Sequence, residues 1–531
     1  MISHLPYSSV TLVTGVVRGG IISPLRPLQW SGLFIGIKME FSQHNDGMMI
    51  DFYELTMSNG FFTSGKAGTR AAFDVFYRHN PDHGGFSIFA GLGQALEWIL
   101  NLRFTGKDID YLKSLHTFKP EFLEFLRDFR FRGEVRAFDE GTIMYPREPV
   151  MTIVGSLAEC MFLETAVLAI INHQSLIATK ARRMVRAAQG RPIADFGARR
   201  AHNLDAAVYG ARAAYIGGLV ATSTVEAGEL FGIPVSGTMA HSWIMSFDSE
   251  YDAFKAYAEE YPDNAVLLID TYDVMRSGLP NAIRLAHEYL EPMGKRLKAV
   301  RIDSGDLAYL SKKMRHELDK SGLEDCGIVL TNSLDEFTVS SLLTQGAQVN
   351  SFGIGERLIT AQSDPILGGV YKMAAIEENG VMTPRIKVSE TAEKITNPGL
   401  KQVWRIYNQD HKAVADLISH DSEKVEISHN FHYIDPVNPW RDRAFAAGFE
   451  AKPLQHVYIS DGKLVREQKG LKEIRQFVID QLKNEIWDEE QRFENPHVHF
   501  LDMTPDYYRM KMDLLEKMRQ KVASITDSFA G

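Results

Sequence analysis

Short apolar runs that end in polar, often glycine-bearing segments recur through residues 191–371, and helical patterns follow them. A near-continuous apolar strand followed by a helix is typical of a parallel βα repeat. In an α/β barrel the carboxyl ends of such strands meet on one face, so the pattern predicts a barrel with a polar cup there. The apolar runs, each with the polar segment after it, are 193–194 and 195–200, 219–221 and 222–223, 233–235 and 236–241, 265–269 and 270–273, 299–302 and 303–306, 327–330 and 331–333, and 349–352 and 353–356.

The segments before and after this repeat show other spacings of their hydrophobic residues. Residues 45–155 combine helical stretches with alternating strands and predict an α+β N-terminal domain. A long helix predicted at 157–188 leads into the barrel, which we assign to 156–375. Residues 376–531 predict further strands and C-terminal helices, whereas 1–44 are interpreted as a disordered or atypical extension. The end of the long helix is expected to be solvated, as suits basic residues at a helix C-terminus: Lys180, Arg182, Arg183 and Arg186.

Composition narrows the functional class. A net charge of −10 argues against nucleic acid or an anionic membrane as a general partner. No run reaches the ~20 apolar residues that a membrane span needs. The chain has only Cys160 and Cys326, which argues for a reducing compartment and against a cysteine-based zinc site. We therefore expect a cytoplasmic protein.

One polar segment carries two acids around a serine and a glycine. Asp306 suits the N-cap of the helix that follows, which leaves Asp303, with Ser304 and Gly305, to face the site. An acid at a strand end on the active face of a barrel often serves a Mg²⁺–diphosphate or ribose hydroxyls. This segment therefore predicts contact with a phosphorylated sugar.

Arginines at two strand ends indicate an anionic ligand. Arg301 alternates with an apolar neighbour, and an arginine turned into the barrel would be costly unless it met an anion. Phe196 and Arg199 share the first polar segment, where an aromatic face and a cation suit a flat anionic ligand. Arg200, the next residue, fits a surface position equally well.

Gly353 and Gly355 supply backbone N–H groups that can approach a phosphate closely, although a plain tight turn explains them equally well. His241 follows another strand end. A lone histidine is often structural, but on the active face it can be a base, a ligand or a phosphoryl acceptor. No metal-ligand spacing surrounds it, which weakens a zinc reading.

Several motifs, in this order, resemble those of nicotinate phosphoribosyltransferases, and together they span residues 50–375. The resemblance implies an irregular parallel α/β barrel of the type II phosphoribosyltransferase class, joined to a split α+β domain. In such a split domain, strands from residues 376–531 return to the α+β domain. It also implies a homodimer with active sites at the subunit interface. The motifs lie at residues 51–57, 73–81, 85–91, 195–201, 237–243, 301–306 and 353–372.

The resemblance implies that nicotinate and phosphoribosyl pyrophosphate give nicotinate mononucleotide for NAD synthesis, with coupled ATP hydrolysis. Mg²⁺ would be bound mainly through the diphosphate rather than by protein ligands. His241 matches the histidine that ATP phosphorylates, and Asp303 is the second catalytic candidate. Tyr53, Thr238 and Arg301 match positions that contact nicotinate, with Tyr53 reaching across the dimer.

Further positions are implied in the same way. Phe196 matches an aromatic residue that stacks on the pyridine ring in the related nicotinamide enzyme, and Arg199 matches an arginine that lines the same pocket. The remaining substrate-binding candidates are Ser304, Gly305, Gly353 and Gly355.

Two positions keep alternatives open. By the same resemblance, Ser223 matches a position where the nicotinamide enzyme carries an aspartate, and loss of that acid suits a carboxylate ligand. A nicotinamide phosphoribosyltransferase is nevertheless the first alternative. Glu356 replaces a threonine that often contacts the sugar phosphate, so its side chain is expected to point away or bind Mg²⁺. A catalytically silent pyridine-nucleotide-binding protein is the second alternative.

Overall fold

The computed structural model describes residues 46–389, 394–427, 431–441 and 443–529, so the predicted extension at 1–44 lies outside the described residues. In chain order the strands are β1 (Arg70–Phe76), β2 (Ser87–Ile88), β3 (Glu134–Phe138), β4 (Ile143–Met144), β5 (Met151–Ser156), β6 (Ile193–Asp195), β7 (Ala221–Thr222), β8 (Val266–Leu268), β9 (Ala299–Ile302), β10 (Gly327–Leu330), β11 (Ser351–Ile354), β12 (Val370–Glu378), β13 (Val381–Pro384), β14 (Lys401–Tyr407), β15 (Ala413–His420), β16 (Phe431–Tyr433), β17 (Arg443–Phe445), β18 (Glu450–Pro453), β19 (Gln455–Ser460), β20 (Lys463–Leu464) and β21 (Leu501–Met503).

The α-helices follow most of the parallel strands, and others lie before and after the barrel strands in the chain. They are α1 (Phe52–Thr63), α2 (Leu92–Asn101), α3 (Gly106–Ser114), α4 (Pro120–Arg127), α5 (Leu157–Met161), α6 (Glu164–Ala187), α7 (Leu204–Ile216), α8 (Val225–Phe231), α9 (His241–Met245), α10 (Glu250–Glu260), α11 (Leu279–Leu285), α12 (Leu307–Lys320), α13 (Glu336–Thr344), α14 (Glu356–Ile359), α15 (Leu471–Asp480) and α16 (Pro505–Phe529).

Six strands pair in parallel in the order β7-β6-β11-β10-β9-β8. This sheet curls into half a barrel, which confirms the predicted parallel α/β barrel in an open, irregular form. Its apolar side chains are buried, with Val300, Ile302 and Ile328 fully enclosed. The strand expected at 233–235 contributes only an isolated parallel bridge to Thr222, because Pro234 has no N–H to donate to a longer ladder.

A second, antiparallel sheet takes strands from three parts of the chain, in the order β13-β12-β1-β5-β3-β19-β20. β1 lies in the middle region of this sheet and pairs with β5 from before the barrel and β12 from after it. β19 then joins β3 from the C-terminal part. Strands that are separated by the whole barrel thus share one sheet, which confirms the split α+β arrangement.

A third sheet has the order β18-β14-β15-β21. β14 and β15 pair antiparallel, in a register that sets Arg405 opposite Asp416. β21 extends the sheet in parallel to β15. Among the described residues no helix is both long and apolar enough to cross a membrane.

The single helix expected at 157–188 is wrong in one respect, since two helices, α5 and α6, occupy this stretch. Ser156 starts α5 through a capping box, and the residues between the helices, Phe162 and Leu163, are fully buried. Core packing therefore overrides a continuous helical period here. The solvated basic end is also wrong, because Lys180 and Arg183 are buried.

Candidate active site

Arg301 is the centre of a polar cluster at the carboxyl ends of the parallel strands. Its Nη1 donates to Thr238 Oγ1 at 2.9 Å and its Nε donates to Thr331 Oγ1 at 3.1 Å. Its Nη2 lies 3.8 Å from Asp303 Oδ1, and only 12% of the side chain is exposed. Burial lowers the pKa of the Arg301 guanidinium, and the nearby carboxylates offset only part of that effect. A buried cation whose partners are mostly neutral favours the binding of an anion beside it.

Asp303 and Thr331 meet because β9 and β10 are adjacent parallel strands that end at the same level. The Thr331 hydroxyl lies 2.6 Å from Asp303 Oδ1 and donates to it. Gly305 has a φ of +80°, a left-handed conformation that favours glycine and lets the chain turn sharply after the acid. Asp306 then caps α12 by accepting from the Tyr309 N–H, as expected.

His241 begins α9 and faces two residues that follow β8. Its Nδ1 lies 3.1 Å from Thr271 Oγ1, and its Nε2 lies 3.9 Å from Asp270 Oδ1. Asp270 Oδ2 accepts from the Asp303 N–H at 2.8 Å and from Ser304 Oγ at 2.7 Å. Asp270 Oδ1 is buried and has no hydrogen-bond partner among the described residues. The two ring nitrogens of His241 thus face a hydroxyl, that of Thr271, and a carboxylate, that of Asp270.

Phe196 reaches the cluster because Gly353 has no side chain. A Cβ at Gly353 would lie 2.5 Å from the Phe196 ring and 2.7 Å from Thr331 Cγ2. The guanidinium carbon of Arg301 lies 5.5 Å from the centroid of the same ring. Gly355 is also close-packed, since a Cβ there would lie 3.0 Å from the Phe196 carbonyl oxygen. Both glycines therefore let the aromatic residue lie against the arginine.

Asp195 holds the turn that carries Phe196 through hydrogen bonds of its carboxylate. One carboxylate oxygen of Asp195 accepts from the Gly197 N–H at 2.8 Å, and the other accepts from the Thr222 hydroxyl at 2.8 Å. Burial raises the pKa of the Asp195 carboxyl, and these donors offset that effect in part. Ser223 follows directly and donates its N–H to the Asp195 carbonyl at 2.8 Å. Ser223 is thus at the edge of the same turn.

Arg199 and Glu356 lie at the rim of the cluster. Arg199 is exposed, yet its charge contributes to lowering the pKa of Arg301. Glu356 accepts from Ser333 Oγ at 2.7 Å, and its other carboxylate oxygen lies 3.7 Å from Arg200 Nε. Within one chain the Glu356 carboxylate is therefore engaged by protein groups.

Tyr53 is the candidate that a single chain does not bring to the cluster. It lies on α1, its side chain is 44% exposed, and its hydroxyl faces Glu164. Burial and this neighbouring carboxylate raise the pKa of the Tyr53 hydroxyl. Its predicted contact with nicotinate across a dimer stays a prediction.

Three polar residues of the cluster lie in the predicted polar segments but were given no individual role: Asp270, Thr271 and Thr331. Each lies within three residues of the end of a parallel strand, and this position was the only signal for them in the sequence. Within the described parts of the chain, no group of three or more His, Cys, Asp or Glu side chains is placed to hold a metal.

Known structures share this architecture. The structure of human nicotinic acid phosphoribosyltransferase is 27% identical and superimposes with a TM-score of 0.79, covering 87% of this chain and 99% of that one. Nicotinate-nucleotide pyrophosphorylase from Pyrococcus furiosus, at 24% identity, shares the fold with a TM-score of 0.64 over 84% of this chain and 98% of its own. The fold and the cluster at its strand ends thus define an α/β-barrel phosphoribosyltransferase.

Sequence comparisons identify the family within that class. The chain matches the nicotinate phosphoribosyltransferase family over residues 192–409, its N-terminal domain over 48–172 and its C-terminal domain over 400–511. The nicotinate phosphoribosyltransferase of Bacillus subtilis is 40% identical, over 91% of this chain and 98% of that protein. The Caenorhabditis elegans enzyme is 34% identical, over 87% and 92%. The chain belongs to the nicotinate phosphoribosyltransferase family.

Proposed function

We propose that this family member joins nicotinate to phosphoribosyl pyrophosphate, releases nicotinate mononucleotide and pyrophosphate, and couples the reaction to ATP hydrolysis through phosphorylation of His241. The names of its relatives support the pyridine substrate. The observation that carries the proposal is the pairing of a buried guanidinium, Arg301, with the face of Phe196 at 5.5 Å. A cation beside an aromatic face suits a flat ring that bears a carboxylate.

In this proposal nicotinate stacks on Phe196 and its carboxylate pairs with Arg301. Thr238 already lies 2.9 Å from Arg301 Nη1 and would share the carboxylate. An acid beside the ring would repel this anion, whereas the neutral Ser223 at the edge of the turn does not. The site therefore favours nicotinate over nicotinamide, which carries no charge to pair with Arg301.

The transfer needs no general base, because the pyridine nitrogen carries a free lone pair. That lone pair forms the new bond to the ribosyl carbon, while the bond to the diphosphate oxygen breaks. Asp303, with 35% of its side chain exposed, is available to the sugar and to a cation that arrives with the diphosphate. Mg²⁺ bound through the diphosphate would neutralise charge on the leaving group. The backbone N–H groups around Gly353 and Gly355 would position the phosphate.

His241 is 43% exposed and therefore accessible to ATP. In the coupled step a ring nitrogen forms a bond to the γ-phosphorus, ADP leaves, and water later cleaves the nitrogen–phosphorus bond. With Asp270 beside Nε2, the imidazole can keep a proton on that nitrogen while the lone pair of Nδ1 attacks. This attack requires the Thr271 hydroxyl to turn away from Nδ1.

We also propose a homodimer with shared active sites. α1 and the residues before it expose large apolar side chains: Met49 by 50%, Phe52 by 53%, Tyr53 by 44% and Met57 by 42%. Several large apolar side chains exposed along one short segment favour a protein interface there. Contact with a second copy of the chain would cover this face and bring Tyr53 to the neighbouring site.

The proposal is tested by measuring nicotinate mononucleotide formation with nicotinate or nicotinamide, with and without ATP. We expect nicotinate to be preferred and ATP to increase product yield. A preference for the amide would establish the nicotinamide enzyme instead, and no product from either pyridine would favour the silent binder.

The coupling is tested separately with His241→Ala. We expect this variant to retain slow transfer, to lose the effect of ATP, and to carry no acid-labile phosphate after incubation with ATP. His287→Ala, at a partly exposed histidine that pairs with Glu291 at 2.9 Å, is the matched control and should behave as the wild type. Full coupling in His241→Ala would remove the phosphohistidine from the mechanism.

A further inference from the structure

Thr331 is the first residue after β10 and is almost fully enclosed, with 2% of its surface exposed. Its N–H donates to the Ile302 carbonyl oxygen at 3.0 Å. Its methyl carbon Cγ2 lies beside Gly353, where an added Cβ would be 2.7 Å away and would also meet the Phe196 ring. A β-branched side chain has few rotamers, so this packing holds the Thr331 hydroxyl in one orientation.

The Thr331 hydroxyl links two charged side chains of the cluster. Arg301 Nε donates to Thr331 Oγ1 at 3.1 Å, and Oγ1 donates to Asp303 Oδ1 at 2.6 Å. The Ile302 carbonyl oxygen also lies 3.2 Å from Oγ1. The hydroxyl has a single proton, and the shorter contact with a charged acceptor favours Asp303. One oxygen atom therefore accepts from the cation and donates to the anion.

The same hydroxyl lies between two opposite charges that do not pair directly. Arg301 Nη2 is 3.8 Å from Asp303 Oδ1, which is beyond hydrogen-bond distance. Arg405 and Asp416, which have no hydroxyl between them, make direct bonds of 2.9 Å and 2.7 Å. Opposite charges attract strongly where little water screens them. Without the Thr331 hydroxyl, Arg301 and Asp303 would therefore close onto each other.

The backbone that follows Thr331 is strained. Asn332 has a φ of +116°, in the region that favours glycine. Its side-chain oxygen accepts from the Ser333 N–H at 2.7 Å, and Ser333 Oγ donates to Glu356 at 2.7 Å. Strained backbone persists where its surroundings hold it, and it clusters at functional sites. The turn after Thr331 thus supports a functional task for this strand end.

We propose that Thr331 is a positioning residue that keeps Arg301 and Asp303 from pairing with each other. Arg301 then stays available to the carboxylate of nicotinate, and Asp303 stays available to the phosphoribosyl substrate. The inference rests on the proposed function and adds to it a residue that needs no contact with either substrate. Because an Arg301 neutralised by Asp303 would no longer favour an anion, Thr331 also supports the preference for nicotinate over nicotinamide.

The first test measures nicotinate binding to the full-length protein by titration calorimetry. Thr331→Val keeps the shape of the side chain and removes the hydroxyl. We expect nicotinate to bind this variant about tenfold to a hundredfold more weakly, as when a hydrogen bond to a charged group is lost. Thr331→Ser should recover most of the affinity. Thr344→Val is the control, because the Thr344 hydroxyl is exposed on α13 and donates to the Ser340 carbonyl at 2.9 Å. Unchanged affinity in Thr331→Val would overturn the proposal.

A double variant separates this role from a packing defect. If Thr331→Val acts by letting Asp303 neutralise Arg301, removing the charge of Asp303 should free the arginine again. We therefore expect Thr331→Val/Asp303→Asn to bind nicotinate more tightly than Thr331→Val does. A defect in packing would not be rescued in this way, so equal or weaker binding by the double variant would contradict the proposal.

The last test is a crystal structure of Thr331→Val without substrates, with the thermal unfolding midpoint as a check on folding. We expect Arg301 Nη2 and Asp303 Oδ1 to approach within hydrogen-bond distance. A separation that stays at 3.8 Å or more would overturn the positioning role. This measurement does not depend on any ligand. A wild type that fails to bind nicotinate would therefore count against the proposed function, while the structure of the variant would still decide the role of Thr331.

Discussion

Arg301 and Arg405 are both buried arginines that lie near a carboxylate, but their partners differ. Arg405 is 1% exposed and makes two hydrogen bonds to Asp416, at 2.9 Å and 2.7 Å. Arg301 is 12% exposed, and its nearest carboxylate, Asp303, is 3.8 Å away. The protein thus satisfies one arginine internally and leaves the other with bonding capacity for a ligand. Full compensation indicates a structural role, and incomplete compensation indicates a functional one.

The surroundings of Arg405 extend this compensation. His499 Nε2 lies 3.4 Å from Asp416 and its Nδ1 lies 3.2 Å from Glu490. Burial opposes protonation of His499, yet the two carboxylates raise its pKa. Burial, reinforced by the neighbouring Asp416, raises the pKa of Glu148 well above its usual value. Arg405 and His499 therefore both lie against carboxylates, those of Asp416 and Glu490, within the core of the C-terminal part.

Asp416→Ala should give the largest effect, because it leaves Arg405 buried without its partner. Breaking a buried ion pair costs about 3–5 kcal/mol, and we expect that loss in the free energy of unfolding measured in urea. The double variant Arg405→Met/Asp416→Leu removes both charges and should recover most of the stability. A loss below about 1 kcal/mol in the single variant would show that Arg405 finds other compensation.

Arg301→Ala should reverse this pattern, with a large effect on ligand binding and little on stability. Pairing with a buried carboxylate predicts a loss of about 2–4 kcal/mol in nicotinate binding. The Michaelis constant for nicotinate tests the expected effect on binding, and the thermal unfolding midpoint tests the expected small effect on stability. Arg296→Ala is the control, since Arg296 is exposed and pairs with Asp325 outside the cluster. An unchanged Michaelis constant in Arg301→Ala would remove Arg301 from the binding site.

Gly353→Ala should have an intermediate effect, because it disturbs Phe196 without removing a charge. The added Cβ would lie 2.5 Å from the ring, so the ring must shift away from Arg301. Overpacking of this kind costs about 1–3 kcal/mol, and we expect a loss of that size in the binding of nicotinate. Gly106→Ala meets nothing within 4 Å and should match the wild type. Unchanged nicotinate affinity would mean that the Phe196 ring does not contact the substrate.

The sequence predicted the convergence of Thr238, Arg301 and Phe196 because parallel strands place their carboxyl ends on one face. It did not predict the contact between Asp270 and Ser304. That contact depends on β8 lying next to β9, and the order of strands in a sheet is not encoded in a local pattern. Short polar residues after a strand also read as caps or turns, so no function was assigned to Asp270.

The charged network around Arg405 was invisible in the sequence for a related reason. Arg405 and Asp416 face each other through the register of β14 and β15, while His499 and Glu490 come from a later segment. An isolated charge within an apolar strand does not reveal its partner. The same limit explains why the basic end of the helix before the barrel was expected to be solvated, although Arg183 is buried beside Glu336.

Glu54 is a third buried ionisable group. Its compensation is intermediate between that of Arg405, which is complete, and that of Arg301, which is not. Its Oε1 accepts from the N–H and hydroxyl of Thr165, whereas its Oε2 is buried without a hydrogen-bond partner among the described residues. Burial raises the pKa of Glu54 from 4.5 to about 7, although the Thr165 donors oppose that shift. The acid is thus only partly compensated, and its effect on stability should depend on pH.

The folded protein binds the proton of the Glu54 carboxyl more tightly than the unfolded chain does. The contribution of Glu54 to folding stability is therefore complete below pH 4.5 and is lost as the pH rises through about 7. Glu54→Gln cannot ionise and should escape that loss. Urea unfolding is measured at a series of pH values from acidic to mildly alkaline. Over this range we expect the free energy of unfolding of the variant to rise by up to about 1 kcal/mol relative to that of the wild type. Glu121→Gln, at an exposed acid on α4, should run parallel to the wild type. The plots of unfolding free energy against pH for Glu54→Gln and the wild type could also stay parallel. In that case Glu54 is as well compensated as Asp416, and the contrast between satisfied and unsatisfied buried charges does not extend to α1.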